Sequence, residues 1–177
     1  MTDRPDHTRV LFVCLGNICR SPTAEVVFRE AAARAGLFHR IEVDSAGTGS
    51  WHVGNPPDHR AIEHAARRGY DLRPLRARQF ERADFDRFHW ILAMDRSVLR
   101  DLAPLRPPAF AGQLGLFMDL LPGMGTDDVP DPYDMGPEGF EVVLDLVIAG
   151  SDALAERLAA TLVAPHDGSR NRPRPAT

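Results

Sequence analysis

Lysine is absent from this chain of 177 residues, and all 21 basic side chains are arginine. A nucleotide-binding loop that closes on Lys-Ser or Lys-Thr is therefore excluded, as is a lysine Schiff base. Cysteine is nearly as scarce, with only Cys14 and Cys19. Two thiols at that separation do not make a secreted disulfide framework. No apolar run approaches the roughly 20 residues that cross a bilayer, and Met1 to Thr8 lacks the apolar centre of a signal peptide. The chain is accordingly expected to be soluble and cytoplasmic, with no membrane partner. Its net charge of -4 speaks against nucleic-acid partners. Arg67, Arg68, Arg73, Arg76 and Arg78 could form a local basic face, but are read as solvated surface. Metal-ligand spacing is missing around His52, His59 and His64, so no metal and no cofactor is expected.

What is present suffices for one core, since 44% of the residues are hydrophobic and the length is short for two domains. Strand-like runs alternate with helical segments in the manner of a parallel α/β sheet. Strands are predicted at 9–14, 40–44, 89–94 and 114–117. Helices are predicted at 22–35, 57–69, 96–103 and 138–162, with Gly150-Ser151-Asp152 a break in the last. Residues 1–8 and the Pro- and Arg-rich tail 164–177 are expected to be flexible or disordered, leaving 9–163 as the folded domain. Arginine-only basicity and abundant alanine are what a GC-rich bacterial coding sequence gives.

The most informative run is Cys14-Leu15-Gly16-Asn17-Ile18-Cys19-Arg20-Ser21, between the β-branched and aromatic Val10-Leu11-Phe12-Val13 and a predicted helix in which Ser21 offers a capping hydroxyl and Pro22 a first-turn proline. A strand, loop and helix in this order place Cys14 where open α/β sheets bind ligands, beside a helix amino terminus that favours anions. Oriented amides, the helix dipole and Arg20 all favour the thiolate, the reactive form of a cysteine. Arg20, forked and permanently charged, suits two phosphoryl oxygens at once. Ser21 is placed to hydrogen-bond a departing thiolate. Asn17 tolerates the left-handed backbone of an anion-cradling turn.

The run VLFVCLGNICRSPTAE resembles the signature of the low-molecular-weight protein tyrosine phosphatases, and Asp131-Pro132-Tyr133 is similar to that family's acid loop. Asp44-Ser45-Ala46-Gly47-Thr48, Trp51 to Pro57, Ala77-Arg78-Gln79 and Ala93-Met94-Asp95 follow in the family's order, over roughly residues 9 to 160. The resemblance implies an α/β three-layer sandwich with a central four-stranded parallel sheet, strand order 2-1-3-4, and helices on both faces. It implies hydrolysis of phosphotyrosine through a phosphocysteine on Cys14, with Arg20 binding phosphate within the loop Leu15, Gly16, Asn17, Ile18, Cys19 and Ser21. The partner implied is a phosphotyrosine-bearing protein, a tyrosine kinase being one candidate, met by a monomer or weak dimer.

Attack on a phenyl ester whose leaving group has a pKa near ~10 benefits from a general acid. Asp131, in a Pro- and Gly-rich loop, is the candidate. The substrate ring needs apolar walls, and Leu15, Ile18, Trp51 and Tyr133 match family positions beside it. The family holds Asn17 with Ser21, Ser45 and a histidine; Leu75 occupies the histidine position here, so one polar support is expected to be missing. Asp134 stands where many relatives have a tyrosine, which predicts weaker acceptance of acidic phosphopeptides. Cys19 is expected to trap an oxidised Cys14 as a reversible disulfide. The rival reading is a thioredoxin-coupled arsenate reductase of the same fold, which needs a third cysteine that this sequence lacks. A non-catalytic phosphotyrosine-binding module would need neither Cys14 nor Asp131.

Overall fold

The apolar run Val10-Leu11-Phe12-Val13 is wholly buried at the centre of strand β1 (Thr8–Cys14) in a computed structural model that describes residues 7–162. The chain continues through α1 (Arg20–Arg34), β2 (Ile41–Gly47), α2 (His59–Arg67), the short α3 (Asp84–Arg87), β3 (Trp90–Ala93), α4 (Arg96–Leu102), β4 (Gln113–Leu116) and α5 (Pro137–Leu162). All strand pairs are parallel and the order is β2-β1-β3-β4. This is the architecture the sequence predicts.

Alternation along β1 explains the layers, because successive side chains of a strand point to opposite faces. Val10, Phe12 and Cys14 join the core beneath α1 and α5, where Phe28, Val147 and Leu154 are buried. Leu11 and Val13 face the other side, with Phe85 of α3, and with Val98 and Leu102 of α4. Phe12 meets Phe28 and Phe117 edge-on, at centroid distances of 5.6 and 5.9 Å. A third cluster joins Ile18 and Cys19 of the loop to Ala61 and Ala65 of α2 and to Phe140 and Leu144 of α5. No described helix is long and apolar enough to cross a membrane.

Several boundaries differ from expectation. Thr8 is not part of a flexible start: it is buried, opens β1 and pairs with Ile41. The tail 164–177 lies outside the described residues. β2 runs on past Asp44 through Ser45, Ala46 and Gly47, because the backbone continues to pair with β1 as far as Cys14↔Gly47. The expected break at Gly150 is absent and α5 is continuous. Gly150 instead admits the Phe117 ring, two atoms of which lie 2.4 Å from where a methyl group would stand. Of the arginines read as solvated surface, Arg67, Arg68, Arg73 and Arg76 are exposed, whereas Arg78 is partly buried between Asp44 and Asp84.

Candidate active site

Strand order 2-1-3-4 reverses direction between β1 and β3, and ligands of open α/β sheets bind at such a switch point, beyond the carboxyl ends of the strands. The loop after β1 carries Cys14 to Arg20, and the turn after β3 carries Asp95, so the topology alone brings these segments together. Cys14 is the last residue of β1 and is buried. Asn17 has φ of 55°, the one positive value outside glycine among the described residues. This left-handed turn brings its backbone N–H to 3.3 Å from the Cys14 Sγ.

Ser21 does not cap the helix as expected. α1 begins at Arg20 with Cys19 as its N-cap and no side-chain cap bond. The Ser21 hydroxyl turns inward instead, 3.0 Å from the Cys14 Sγ. The uncapped first turn leaves amide donors and the positive end of the dipole facing the loop. No acidic residue occupies that turn.

The Asn17 amide is fully engaged. Nδ2 donates to the Ser21 Oγ at 2.9 Å and the Ser45 Oγ at 3.0 Å, and Oδ1 accepts from the Arg78 backbone N–H at 2.9 Å. The support expected to be missing at Leu75 is therefore supplied by backbone, while Leu75 packs against the cluster that contains Ile18 and Ala61. Behind Ser45 lies a residue the sequence reading passed over. Glu25 is buried, accepts from the Ser45 Oγ at 2.7 Å and pairs with Arg29 at 2.6 Å. Burial pushes its carboxyl above the ordinary glutamate pKa, against the pull of the Ser45 and Arg29 bonds.

Arg20 is 3% exposed, and its side chain reaches across the switch point. Nη1 donates to the Asp95 Oδ2 at 2.6 Å and the Val129 carbonyl at 3.0 Å, and Nη2 to the Asp131 Oδ2 at 3.1 Å. Of its five donors, Nε–H and a second Nη2–H remain for a ligand. Burial disfavours the guanidinium charge, but Cys14, Asp131 and Asp95 outweigh it and hold the pKa above the ordinary arginine value. Burial, then Asp58, push the Cys19 thiol strongly up, so it stays protonated.

A pocket of about 400 Å³ brings together Cys14, Leu15, Gly16, Ile18, Cys19, Arg20, Trp51, Asp131 and Tyr133 from the sequence reading. Asn17, Ser21 and Ser45 stand behind it as supports. Trp51 and Tyr133 are 63% and 49% exposed and form open walls, whereas Ile18 is mostly core. His52, not anticipated, and Asp134 complete the lining. Arg60 was also unforeseen. It is held by Asp58, whose backbone N–H donates to the Ile18 carbonyl. Arg60 itself donates to the Tyr133 carbonyl at 3.0 Å and lies 5.2 Å from that ring's centroid. Asp58 and Arg60 thus tie the Cys14 loop to the Asp131 loop. Their ion pair would have been hard to read from sequence, since Asp-x-Arg before a helix is an ordinary capping pattern.

A family model described as low molecular weight phosphotyrosine protein phosphatase matches residues 9–164. The chain belongs to this family. As a member, it is an enzyme of the protein-tyrosine-phosphatase class. It is 42% identical over 145 residues to the low molecular weight protein-tyrosine-phosphatase YfkJ of Bacillus subtilis, covering 82% of this chain and 92% of that one. It is 50% identical over 151 residues to the low molecular weight phosphotyrosine protein phosphatase of Rattus norvegicus, covering 84% and 94%. Among solved structures, a protein tyrosine phosphatase from Entamoeba histolytica superposes with a TM-score of 0.83 at 34% identity, over 87% of the phosphatase described here and 98% of its own chain.

Proposed function

We propose that the chain hydrolyses phosphotyrosine in proteins, and small aryl phosphates, through a phosphocysteine on Cys14, with Arg20 binding the phosphoryl group and Asp131 as general acid and base. The observation that carries this reading is the meeting of a buried thiol, a buried guanidinium with two donors to spare and an aspartate in one pocket walled by exposed aromatics. The phosphoryl oxygens would be held by Arg20 and the loop amides, and the ring by Trp51 and Tyr133. The Cys14 thiolate attacks phosphorus, the P–O bond to the phenol breaks, and Asp131 protonates the departing oxygen. Asp131 then takes a proton from water, whose oxygen attacks phosphorus. The S–P bond breaks, and the Ser21 hydroxyl, 3.0 Å from Sγ, stabilises the thiolate that leaves. The substrate in this reading is a phosphotyrosine-bearing protein, a tyrosine kinase being one candidate. Two reduced cysteines suit a cytoplasmic setting.

The test is metal-free turnover of p-nitrophenyl phosphate and phosphotyrosine peptides, with phosphoserine peptides and arsenate in parallel. Cys14→Ser is expected to abolish turnover, and Asp131→Asn to slow it by about 10²-fold, more for poor leaving groups. Thiol-dependent arsenate reduction without phosphatase turnover would sink the reading. Cys19 serves in the same proposal as the trap for an oxidised Cys14: peroxide takes the thiolate to a sulfenic acid, and the Cys19 thiol displaces its oxygen as water to leave a disulfide. Intact mass after mild peroxide should show the loss of two hydrogens, and Cys19→Ser should not show it.

A further inference from the structure

We propose that a second cavity, beside the catalytic pocket, is a subsite for a basic residue flanking the phosphotyrosine of the substrate, with Asp101 recognising its cation. The proposal rests on the phosphatase reading above. This cavity has a volume of about 310 Å³ and shares Leu15 and Trp51 with the catalytic pocket, so a single wall separates the two hollows. A residue flanking a phosphotyrosine whose ring lies against one side of Trp51 can reach the cavity on the other.

The lining specifies the chemistry. Leu15, Trp51, Phe80 and Leu105 give an apolar floor, and no arginine borders it. Asp101, exposed on α4, is the one carboxylate among the lining residues and makes no ion pair among the described residues. One N–H of the Gln79 Nε2 donates to the Thr48 carbonyl at 3.0 Å, and that side chain's oxygen is left as an acceptor. An apolar floor with one carboxylate, and no other charged group, at its edge matches a side chain with a long hydrocarbon stem and a donor-rich cationic head. A purely apolar residue would cover Asp101 without pairing it, which costs free energy, and a glutamate would meet like charge. Trp51 adds a face on which a guanidinium can stack.

The experiment uses one phosphotyrosine peptide in which Arg, Ala, Leu or Glu is placed in turn at each of the three positions on either side. Values of kcat/KM are measured for wild type, Asp101→Asn and Asp134→Asn, with p-nitrophenyl phosphate as the substrate that has no flanking residue. Wild type is expected to favour Arg over Ala at one position by about fivefold, with Glu worst. Asp101→Asn should erase that preference and leave p-nitrophenyl phosphate turnover unchanged. A preference untouched by Asp101→Asn, a preference removed by Asp134→Asn instead, or Leu serving as well as Arg would each overturn the subsite. Absence of p-nitrophenyl phosphate turnover in the wild type would overturn the phosphatase reading beneath it.

Discussion

Glu25 shows how a single side chain reaches the reacting atom without touching it. As a carboxylate it accepts the Ser45 hydroxyl proton, so Ser45 presents only lone pairs to the Asn17 Nδ2. The other Nδ2 proton fills a lone pair of Ser21, whose own proton then has two acceptors in reach, the Cys14 Sγ at 3.0 Å and the Ala46 carbonyl at 3.3 Å. One acid therefore sets the direction of the bonds as far as the Ser21 oxygen. Its carboxyl titrates above the ordinary glutamate value because it is buried. Between the unfolded and the raised native pKa, the native state binds more protons than the unfolded one, so stability falls as pH rises through that window. Glu25→Gln removes the titration. The stability difference between wild type and Glu25→Gln should therefore shift against the wild type as pH rises from acid toward neutrality, measured by urea unfolding across that range. A pH-independent difference would show that folding leaves the Glu25 pKa unchanged. At this scale the meeting of Cys14, Arg20 and Asp131 in one pocket was legible, the first two from residue type and spacing and Asp131 from the resemblance of Asp131-Pro132-Tyr133 to the family's acid loop. Glu25, Asp95 and Arg60 were not, because each looks like a routine helix-start or capping residue until the fold supplies its partner.

The elements were legible where burial is symmetrical. β1 announces itself as an unbroken β-branched and aromatic run, as a strand covered on both faces must. The end of β2 was missed because Ser45, Ala46 and Gly47 carry no strand signal; they are held in line by pairing with the better strand beside them. Gly150 was misread for a related reason, since a glycine followed by Ser-Asp has the composition of a break. Its role is to make room for Phe117, a fully buried ring with nowhere to swing. Gly150→Ala gains about 1 kcal/mol of helix propensity, but forcing a methyl into a filled core costs about 1 to 3 kcal/mol. The expected outcome is a net loss of up to about 2 kcal/mol in chemical denaturation, with α5 still helical by circular dichroism. A stabilised variant would mean that Phe117 can repack.

Across the whole molecule, two loops distant in sequence are held at one crevice by very few bonds. Arg20 links α1 to Asp95 after β3 and to Asp131 before α5, and the pair Asp58 and Arg60 ties the Cys14 loop to the Tyr133 backbone. An oxyanion bound there should stabilise the fold as a unit. Inorganic phosphate at about 100 times its Kd adds about 2.7 kcal/mol, and a chain of this length gains roughly 2 to 4 °C per kcal/mol. A rise in Tm of about 5 to 10 °C is expected for the wild type, and none for Arg20→Ala. An equal rise in both would place the anion elsewhere.

The 3.1 Å bond between Arg20 and Asp131 also bears on how the site empties itself. An arriving phosphoryl group must share this guanidinium with a carboxylate that belongs to the protein, and the same carboxylate is waiting when inorganic phosphate is ready to go. Asp131 is thus a tethered rival of the product, always at hand and never diluted. In the proposed mechanism this contact trades tight retention of phosphate for rapid clearance. Asp131→Asn, which keeps the shape but not the charge, should hold phosphate more firmly than the wild type and show the larger rise in Tm at the same concentration. On this reading, susceptibility to inhibition by product is set by the same residue that is proposed as the acid.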